Sequence, residues 1–259
     1  MAEQAGGFIW YELMTSDTAA AVAFYGKVVG WDIRDSGMPP EGQYLLFGKG
    51  GKDVGGIMAW KSIGMDLPTT WRGHIYTPDV AAEAAAVVRD GGTQHRPVQT
   101  MPGVGSFAVV SDPQGAEYLL FQPVHSDEKQ WMLPHEVGSV GWHELGTSDW
   151  EAAWQFYSTH YSWTKHMTVD MGPMGTYQTF MATETQGGGM MNLPPLLVEK
   201  GHKPGWLYYF TVDSIQAAKQ RVVDGGGTVT HGPAEVPGGA WILQGVDPQG
   251  GAFALTAQS

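Results

Sequence analysis

The chain contains an internal repeat, which constrains its fold more than any other feature. The segment 10–31 returns at 142–163, shifted by 132 positions, with an identical residue at eleven of its 22 positions. The identical residues of the first copy are Trp10, Glu12, Leu13, Thr15, Ser16, Asp17, Ala20, Ala21, Phe24, Tyr25 and Trp31. Identity at this density indicates duplication of a structural unit. The 259 residues therefore divide into two units of about 125 residues, each large enough to bury an ordinary core.

Composition excludes several classes of function. The chain has no cysteine, which excludes disulfides, thiolate metal sites and cysteine nucleophiles. Its 26 acidic residues outnumber 14 basic ones, and the net charge of −12 disfavours binding to nucleic acid. We find no signal peptide and no apolar run of membrane-spanning length, so we expect a cytoplasmic protein without a membrane partner. The 11 Trp, 10 Tyr and 13 Met residues suit an apolar, planar small-molecule ligand.

Local patterns predict a βαβββ module at the start of each half. Residues 7–15 alternate as a strand covered on both faces, and Ser16 or Asp17 caps a helix that runs to about Val29. Three further strands follow, separated by glycine-rich turns. In the second copy, residues 148–151 read Ser-Asp-Trp-Glu and predict a capping box.

A second module of the same type follows in each half. In the first half, a strand at 71–77 precedes a helix capped by Asp79, and three short strands come next. The last two of these strands flank Asp-Pro-Gln-Gly at 112–115, a tight turn. The second half repeats the pattern with a cap at Asp213 and Asp-Pro-Gln-Gly at 247–250.

These modules predict an α+β fold of two tandem domains, each a pair of βαβββ modules that form a cup-shaped incomplete barrel. We place the first domain at 1–125 and the second at 136–259, and a polar segment at 126–135 is the predicted linker. The duplication predicts either a monomer that is a pseudo-dimer of its halves or a homodimer.

The strand–Asp–helix–Gly-Trp opening and the closing Asp-Pro-x-Gly resemble the vicinal oxygen chelate superfamily. Its members include glyoxalase I, bleomycin-resistance proteins, fosfomycin-resistance proteins and extradiol dioxygenases. Both halves match, and the chain looks closest to the tandem glyoxalase-like proteins of bacteria. Because this fold hosts lyases, dioxygenases, epimerases, transferases and binding proteins, the resemblance implies a fold and a site, and no single reaction.

The resemblance also implies three metal-ligand positions in each half, and none of them carries a metal-binding side chain. One lies on the opening strand, one on the fifth strand, and one is seven residues after the Asp of Asp-Pro-x-Gly. The six positions hold Trp10, Arg72 and Leu119 in the first half and Trp142, Trp206 and Ala254 in the second. We therefore expect no cofactor at the usual site, and we do not predict a glyoxalase I or extradiol dioxygenase that uses it.

Polar residues next to these positions are candidates for chemistry. Glu12 and Glu144 follow the first position by two residues and so share its face of the strand. By the same parity, His74 follows Arg72 and Glu117 precedes Leu119 on the inner face. If the last strand of a module runs antiparallel to its first, Glu12, His74 and Glu117 reach one level. The second half offers Glu144, Tyr208 and Ala252, which cannot bind a metal as a set.

Three hypotheses remain open for these residues. The carboxylates could be structural acceptors, or Glu12 could be a general base with His74 or Arg72 stabilising an oxyanion. A third hypothesis places a divalent ion on Glu12, His74 and Glu117.

The predicted function is that of a glyoxalase-like protein whose aromatic-lined cups bind a small, partly apolar molecule. As an enzyme, it would be a lyase or isomerase that acts next to a carbonyl. The alternatives are a binding protein of the bleomycin-resistance type, which sequesters its ligand unchanged, and a purely structural or interaction protein. The predicted ligand contacts are Trp10, Glu117, Leu119, Trp142, Glu144, Trp206 and Tyr208.

Overall fold

A computed structural model describes residues 5–38, 43–124 and 132–258. The strands are β1 (Phe8–Thr15), β2 (Asp32–Asp35), β3 (Tyr44–Lys49), β4 (Lys52–Ala59), β5 (Thr70–Tyr76), β6 (Thr93–Gln94), β7 (Gln99–Met101), β8 (Gly105–Ser111), β9 (Glu117–Pro123), β10 (Val140–Thr147), β11 (Thr164–Asp170), β12 (Thr176–Met181), β13 (Gly187–Asn192), β14 (Gly205–Thr211), β15 (Thr228–Glu235), β16 (Trp241–Val246) and β17 (Ala252–Ala257). The α-helices are α1 (Thr18–Val28), α2 (Val80–Arg89), α3 (Trp150–Tyr161), α4 (Pro195–Glu199) and α5 (Ile215–Asp224). Within these ranges, no helix is both long and apolar enough to cross a membrane.

The strands of each half form one mixed sheet, which confirms the α+β fold of paired βαβββ modules. The first sheet has the order β2-β3-β4-β1-β5-β9-β8-β6, with β7 paired to β8. The second has the order β11-β12-β13-β10-β14-β17-β16-β15. In both sheets the opening strands of the two modules are neighbours, and each runs parallel to the last strand of its own module.

The helix starts confirm two predicted caps and correct two others. Asp17 and Asp79 accept hydrogen bonds from the third residue beyond them and cap α1 and α2. The predicted capping box at 148–151 was wrong. Asp149 is the N-cap, so Glu151 is the second residue of α3, whereas a capping box needs a glutamate at the third. The cap at Asp213 was also wrong. Ser214 caps α5, while the Asp213 carboxylate accepts from Arg221 at 2.6 Å.

Two elements have no counterpart in the sequence prediction. The three-residue strand β7 and the five-residue helix α4 are too short to show a hydrophobic period.

The chain divides into two compact units, and each unit combines one module from each half. As far as their ranges are described, unit 1 comprises Met1–Ile9, Gly73–Lys129 and His143–Trp206. Unit 2 comprises Trp10–Arg72, Gln130–Trp142 and Leu207–Ser259. The predicted domain boundaries at 1–125 and 136–259 stay predictions, and residues 126–131 of the predicted linker lie outside the described residues.

A buried Trp–Tyr–Asp chain holds unit 2 together. The Trp71 indole N–H donates to the Tyr25 hydroxyl at 2.9 Å, and this hydroxyl donates to Asp247 at 2.8 Å. The other oxygen of Asp247 accepts from the backbone N–H of Gly251 at 2.8 Å within the Asp-Pro-Gln-Gly turn. The turn of the fourth module is therefore bound to the helix of the first.

Unit 1 contains the reciprocal chain. The Trp206 indole N–H donates to the Tyr157 hydroxyl at 3.1 Å, and this hydroxyl donates to Asp112 at 3.2 Å. Asp112 also accepts the backbone N–H of Ala116 at 2.9 Å. The two aspartates of the duplicated turns thus serve the same purpose, since each orients a tyrosine that comes from the other half.

Candidate functional site

The first candidate site lies in unit 2, where a tyrosine reaches across one strand to a glutamate on the next. Glu12 on β1 is level with Gly56 on β4, and Tyr44 on β3 is level with Met58 of β4. A Cβ atom at position 56 would overlap the Tyr44 ring. The missing side chain at Gly56 therefore provides the space through which the Tyr44 hydroxyl reaches the carboxylate.

Three side chains form a hydrogen-bonded relay at this point. The Trp10 indole N–H donates to the Tyr44 hydroxyl at 2.9 Å, and this hydroxyl donates to the Glu12 carboxylate. Burial raises the pKa of Glu12, whereas the Tyr44 hydrogen bond and the charge of Arg72 oppose that rise. Burial, followed by the Glu12 charge, raises the pKa of Tyr44 well above its ordinary value. Tyr44 therefore stays a neutral donor, and Glu12 is a carboxyl that retains a proton more readily than an exposed one.

Arg72 brings a positive charge to the same site. Its guanidinium carbon lies 5.0 Å from the centre of the Trp60 ring, a cation–π distance. Trp60 is buried, and its indole N–H donates to the backbone carbonyl of Pro68 at 2.9 Å. The ring that carries the guanidinium is therefore itself held in place, so the cation is positioned before any ligand arrives.

The second candidate site repeats the glutamate–tyrosine pair in unit 1. The Tyr177 hydroxyl on β12 donates to the Glu144 carboxylate at 3.1 Å. Glu144 is level with Gly189 of β13, and a Cβ atom there would overlap the Tyr177 ring. Neither tyrosine was among the residues predicted from the sequence. The signal was present, because Tyr44 precedes Gly56 by the same twelve residues that separate Tyr177 from Gly189.

The hypothetical Glu-His-Glu metal group was wrong, because it required antiparallel strands. β5 and β9 run parallel with His74 level with Leu119, so Glu117 lies two residues away from the level of His74. Glu117 is exposed, whereas His74 is buried with its ring edge-on to Phe121 at 5.9 Å. Across the ranges that the structure describes, no three His, Asp or Glu side chains lie close enough to hold a metal ion.

The predicted correspondence between the halves was wrong by one residue on β14. Tyr209 is level with Ala254, as His74 is with Leu119, so Tyr209 and not Tyr208 is the counterpart of His74. By the same count, Leu207 is the counterpart of Arg72, and Trp206 is that of Trp71. A shift of one residue moves a side chain to the opposite face of the strand. Trp206 accordingly donates to Tyr157 in the helix-side core of unit 1.

The side chains at the family's ligand positions do not fit a metal ion. Trp10 is bound to Tyr44, Arg72 lies over Trp60, and Leu119 and Ala254 are buried apolar residues. Indole, guanidinium and alkyl groups present no lone pair to a cation. We therefore derive no metal-dependent step here. The binding and catalytic roles given to Trp10, Glu12, Arg72, His74, Trp142 and Glu144 stay predictions.

Comparisons with known proteins agree with this fold. A sequence model described as "Glyoxalase-like domain" matches residues 10–121. The anthracycline biosynthesis protein DnrV of Streptomyces peucetius is 29% identical over 269 residues, which cover 96% of this chain and 92% of that protein. The putative glyoxylase CFP32 of Mycobacterium tuberculosis is 33% identical over 123 residues, 48% of this chain and 46% of that protein.

Solved structures show the same architecture at low sequence identity. The Mn(II)-bound glyoxalase from Novosphingobium aromaticivorans superposes with a TM-score of 0.66 at 14% identity, covering 98% of this chain and 83% of that one. The 2,3-dioxygenase LapB from Pseudomonas sp. KL28 superposes with a TM-score of 0.65 at 13% identity, covering 98% and 93%. Residues 10–121 are therefore similar to a glyoxalase-like domain, and the whole chain has the fold of these solved glyoxalases and extradiol dioxygenases.

Proposed function

We propose that this protein binds a small, partly apolar organic molecule at its glutamate–tyrosine pairs and acts on it as a lyase or isomerase next to a carbonyl. One observation carries the proposal. Glu12 follows by two residues the first ligand position that the resemblance implies, and it has a raised pKa, a hydrogen bond from Tyr44 and the charge of Arg72 acting on it. A desolvated carboxylate with an adjacent cation is the arrangement that proton abstraction beside a carbonyl requires.

The proposed chemistry uses only side chains of unit 2. The Glu12 carboxylate removes a proton from the carbon next to the carbonyl, and the C–H electron pair moves to the carbonyl oxygen to give an enolate. Arg72 stabilises the new negative charge, and Tyr44 keeps the carboxylate oriented through the relay from Trp10. Return of the proton to a different carbon completes an isomerisation, whereas loss of a leaving group from the neighbouring carbon completes an elimination.

Aromatic side chains of the first site favour a flat ligand. Trp10 is half-buried and offers ring surface beside the polar groups, and indole rings stack on planar apolar molecules. The relative DnrV is named for anthracycline biosynthesis, and anthracyclines are polycyclic aromatic molecules. We therefore propose aromatic ketones and quinones, including anthracycline-type compounds, as the ligand class.

The test has a binding step and a turnover step. The purified protein is titrated calorimetrically with a panel of aromatic ketones and quinones, and each bound compound is then recovered and analysed by mass spectrometry and NMR. We expect binding, an altered product, and loss of turnover by at least about a hundredfold in Glu12→Gln with binding retained. The exposed Glu199→Gln is the matched control. Unchanged turnover in Glu12→Gln would refute the role of Glu12.

A separate observation supports a second function, in which the protein sequesters its ligand without changing it. The family's ligand positions carry tryptophan, arginine, leucine and alanine, which supply contact surface and no metal-based chemistry. If the compounds bind and are recovered unchanged, and if Tyr44→Phe weakens their binding, the protein is a binding protein. A complete lack of binding across the panel would refute both functions.

A further inference from the structure

The hydrogen bond from Tyr44 to Glu12 depends on the charge of the Glu12 carboxylate. A tyrosine hydroxyl has one proton, and Tyr44 donates it to Glu12 while its oxygen accepts the Trp10 indole N–H at 2.9 Å. An ionised carboxylate is a stronger acceptor than a neutral carboxyl group. Once Glu12 has taken a proton from a ligand, the charge that holds the Tyr44 hydrogen bond is therefore gone.

The same proton transfer creates a new anionic acceptor close to Tyr44. The electron pair of the broken C–H bond moves to the carbonyl oxygen, which is bonded to the neighbouring carbon of the ligand. Because the Tyr44 hydroxyl already contacts the Glu12 carboxylate, a ligand whose C–H bond points at Glu12 has its carbonyl oxygen near this hydroxyl. Glu12, Tyr44 and Trp10 are half-buried, so each keeps a surface that a ligand can reach.

We propose that Tyr44 is a catalytic residue of the first candidate site, whose hydroxyl turns from Glu12 to the carbonyl oxygen of the ligand and stabilises the enolate there. This inference rests on the proposed function, because it assumes that Glu12 abstracts a proton next to a carbonyl. In this step the ligand C–H bond breaks and a Glu12 O–H bond forms, while the Tyr44 O–H bond stays intact. Only the acceptor of the Tyr44 hydrogen bond changes, and the change reverses when Glu12 returns the proton.

Three features of the fold suit Tyr44 to this role. The Trp10 N–H holds the hydroxyl oxygen, so the O–H bond can rotate about the C–O bond while the ring stays in place. Gly56 leaves the space that the ring occupies, since a Cβ atom there would overlap it. Burial is the largest cause of the raised pKa of Tyr44, and it persists when Glu12 is neutral. The hydroxyl therefore donates a hydrogen bond to the enolate and keeps its own proton.

The experiment measures proton abstraction directly on a probe, 1-tetralone, which is an aromatic ketone with C–H bonds next to its carbonyl. The whole chain is incubated with 1-tetralone in heavy water, and NMR follows the exchange of these hydrogens for deuterium. Two further probes, 6-nitro-1-tetralone and 6-methoxy-1-tetralone, differ in how well the ring itself spreads the negative charge of the enolate. The exchange rate is measured as a function of probe concentration to separate kcat from KM.

We expect Tyr44→Phe to lower kcat for exchange of 1-tetralone by about a hundredfold, the size of one donor to an oxyanion, with KM within about twofold of the native value. The ratio of the nitro to the methoxy rate should widen in this variant, because the ring must then carry charge that Tyr44 no longer stabilises. If Tyr44 only oriented Glu12, its loss would slow all three probes by the same factor.

Two more variants test the arrangement around Tyr44. Trp10→Phe keeps a ring and removes the N–H that holds the hydroxyl oxygen, so it should slow exchange by a smaller factor, about tenfold. Tyr118→Phe is the matched control, because it removes a buried tyrosine hydroxyl of unit 1 that is hydrogen-bonded to Tyr161 at 2.8 Å. It should leave exchange per folded molecule unchanged. Circular dichroism identifies any variant that fails to fold, and the nitro-to-methoxy ratio in Trp10→Phe still tests the proposal if Tyr44→Phe is lost.

The outcomes separate this inference from the function on which it rests. Exchange by the native chain that is as fast in Tyr44→Phe, or that slows equally for the three tetralones, would overturn the catalytic role of Tyr44 and leave proton abstraction by the protein intact. No exchange of any tetralone by the native chain would overturn the proposed lyase or isomerase chemistry and this inference with it.

Discussion

Three effects act on the pKa of the Glu12 carboxyl group. Loss of water raises its pKa, while the Tyr44 hydroxyl and the Arg72 charge lower it, and the first effect is the largest. The folded chain therefore holds the Glu12 proton more tightly than the unfolded chain. As the pH rises through the unfolded pKa, near 4.5, the unfolded state loses its proton first, and stability falls until the pH passes the higher folded pKa.

Glu12→Gln is expected to remove this loss of stability. The variant should gain stability relative to the native chain as the pH rises from 4 to 8, because the amide keeps an acceptor for Tyr44 and carries no buried charge. Urea unfolding at a series of pH values measures the difference. Glu199→Gln, at an exposed position, should follow the native curve. Parallel curves for Glu12→Gln and the native chain would contradict the raised pKa.

His143 is a buried histidine held in its neutral form. Its Nδ1 lies 3.0 Å from the Gly187 carbonyl oxygen, which can only accept, so Nδ1 carries the proton. The ring stacks on Phe8 with 4.3 Å between centres, and burial lowers its pKa from 6.5 to about 4. On β10, His143 lies on the opposite strand face from its neighbour Glu144.

The low pKa of His143 predicts a loss of stability in acid. The stability that the protein gains by keeping His143 neutral is fully present above pH 6.5. It is lost as the pH falls towards 4, because the histidine of the unfolded chain takes up its proton first. The difference between the folded and unfolded pKa values of His143 corresponds to about 3 kcal/mol in the free energy of unfolding. We expect His143→Gln, whose amide can donate to the same carbonyl, to show a correspondingly smaller loss between pH 7 and pH 4 in urea unfolding. An NMR titration midpoint of His143 near 6.5 in the folded protein would contradict this account.

At the scale of elements, glycine pairs in the parallel strands make room for aromatic rings. Gly55 and Gly56 on β4 lie under Phe47 and Tyr44, and Gly188 and Gly189 on β13 lie under Phe180 and Tyr177. A glycine run such as 187–189 is more typical of a loop or strand bend. It lies in a strand here because rings from the neighbouring strand cover the space that side chains would fill.

Alanine at Gly56 or Gly189 is expected to destabilise the protein by about 1–3 kcal/mol, since the tyrosine ring must leave its hydrogen bond to the glutamate. Gly26→Ala is the matched control. Gly26 lies inside α1 and its Cβ would make only ordinary contacts, with Trp31 at 3.8 Å and Ile33 at 3.9 Å, so the change should be neutral or stabilising by up to about 1 kcal/mol. Chemical unfolding of the three variants measures their free energies of unfolding and so checks this order of stability. A Gly56→Ala protein as stable as Gly26→Ala would show that the Tyr44 ring moves without cost.

At the scale of the whole molecule, two buried hydrogen bonds join the halves of the sequence. Tyr25 of the first half donates to Asp247 of the second, and Tyr157 of the second half donates to Asp112 of the first. Tyr25→Phe leaves a buried carboxylate oxygen and the Trp71 indole N–H without their partner. We expect a loss of about 1–3 kcal/mol, and the same for Tyr157→Phe. A double-mutant cycle of Tyr25→Phe with Asp247→Ala should show coupling, because each change removes one partner of the same hydrogen bond. Additive effects would mean that the bond contributes nothing to stability.

Sequence by itself determined the duplication, the four βαβββ modules and the positions of Glu12 and Glu144, because helix and strand periods and turn residues act over a few neighbouring positions. Strand direction, the register of β14 and the partners of Glu12 were decided only by the tertiary structure. They depend on which strands pair across distant parts of the chain, and nothing near Glu117 or Tyr208 records that pairing. The tyrosines that reach Glu12 and Glu144 come from another strand through a gap left by glycine, so the site exists only once the sheet has formed.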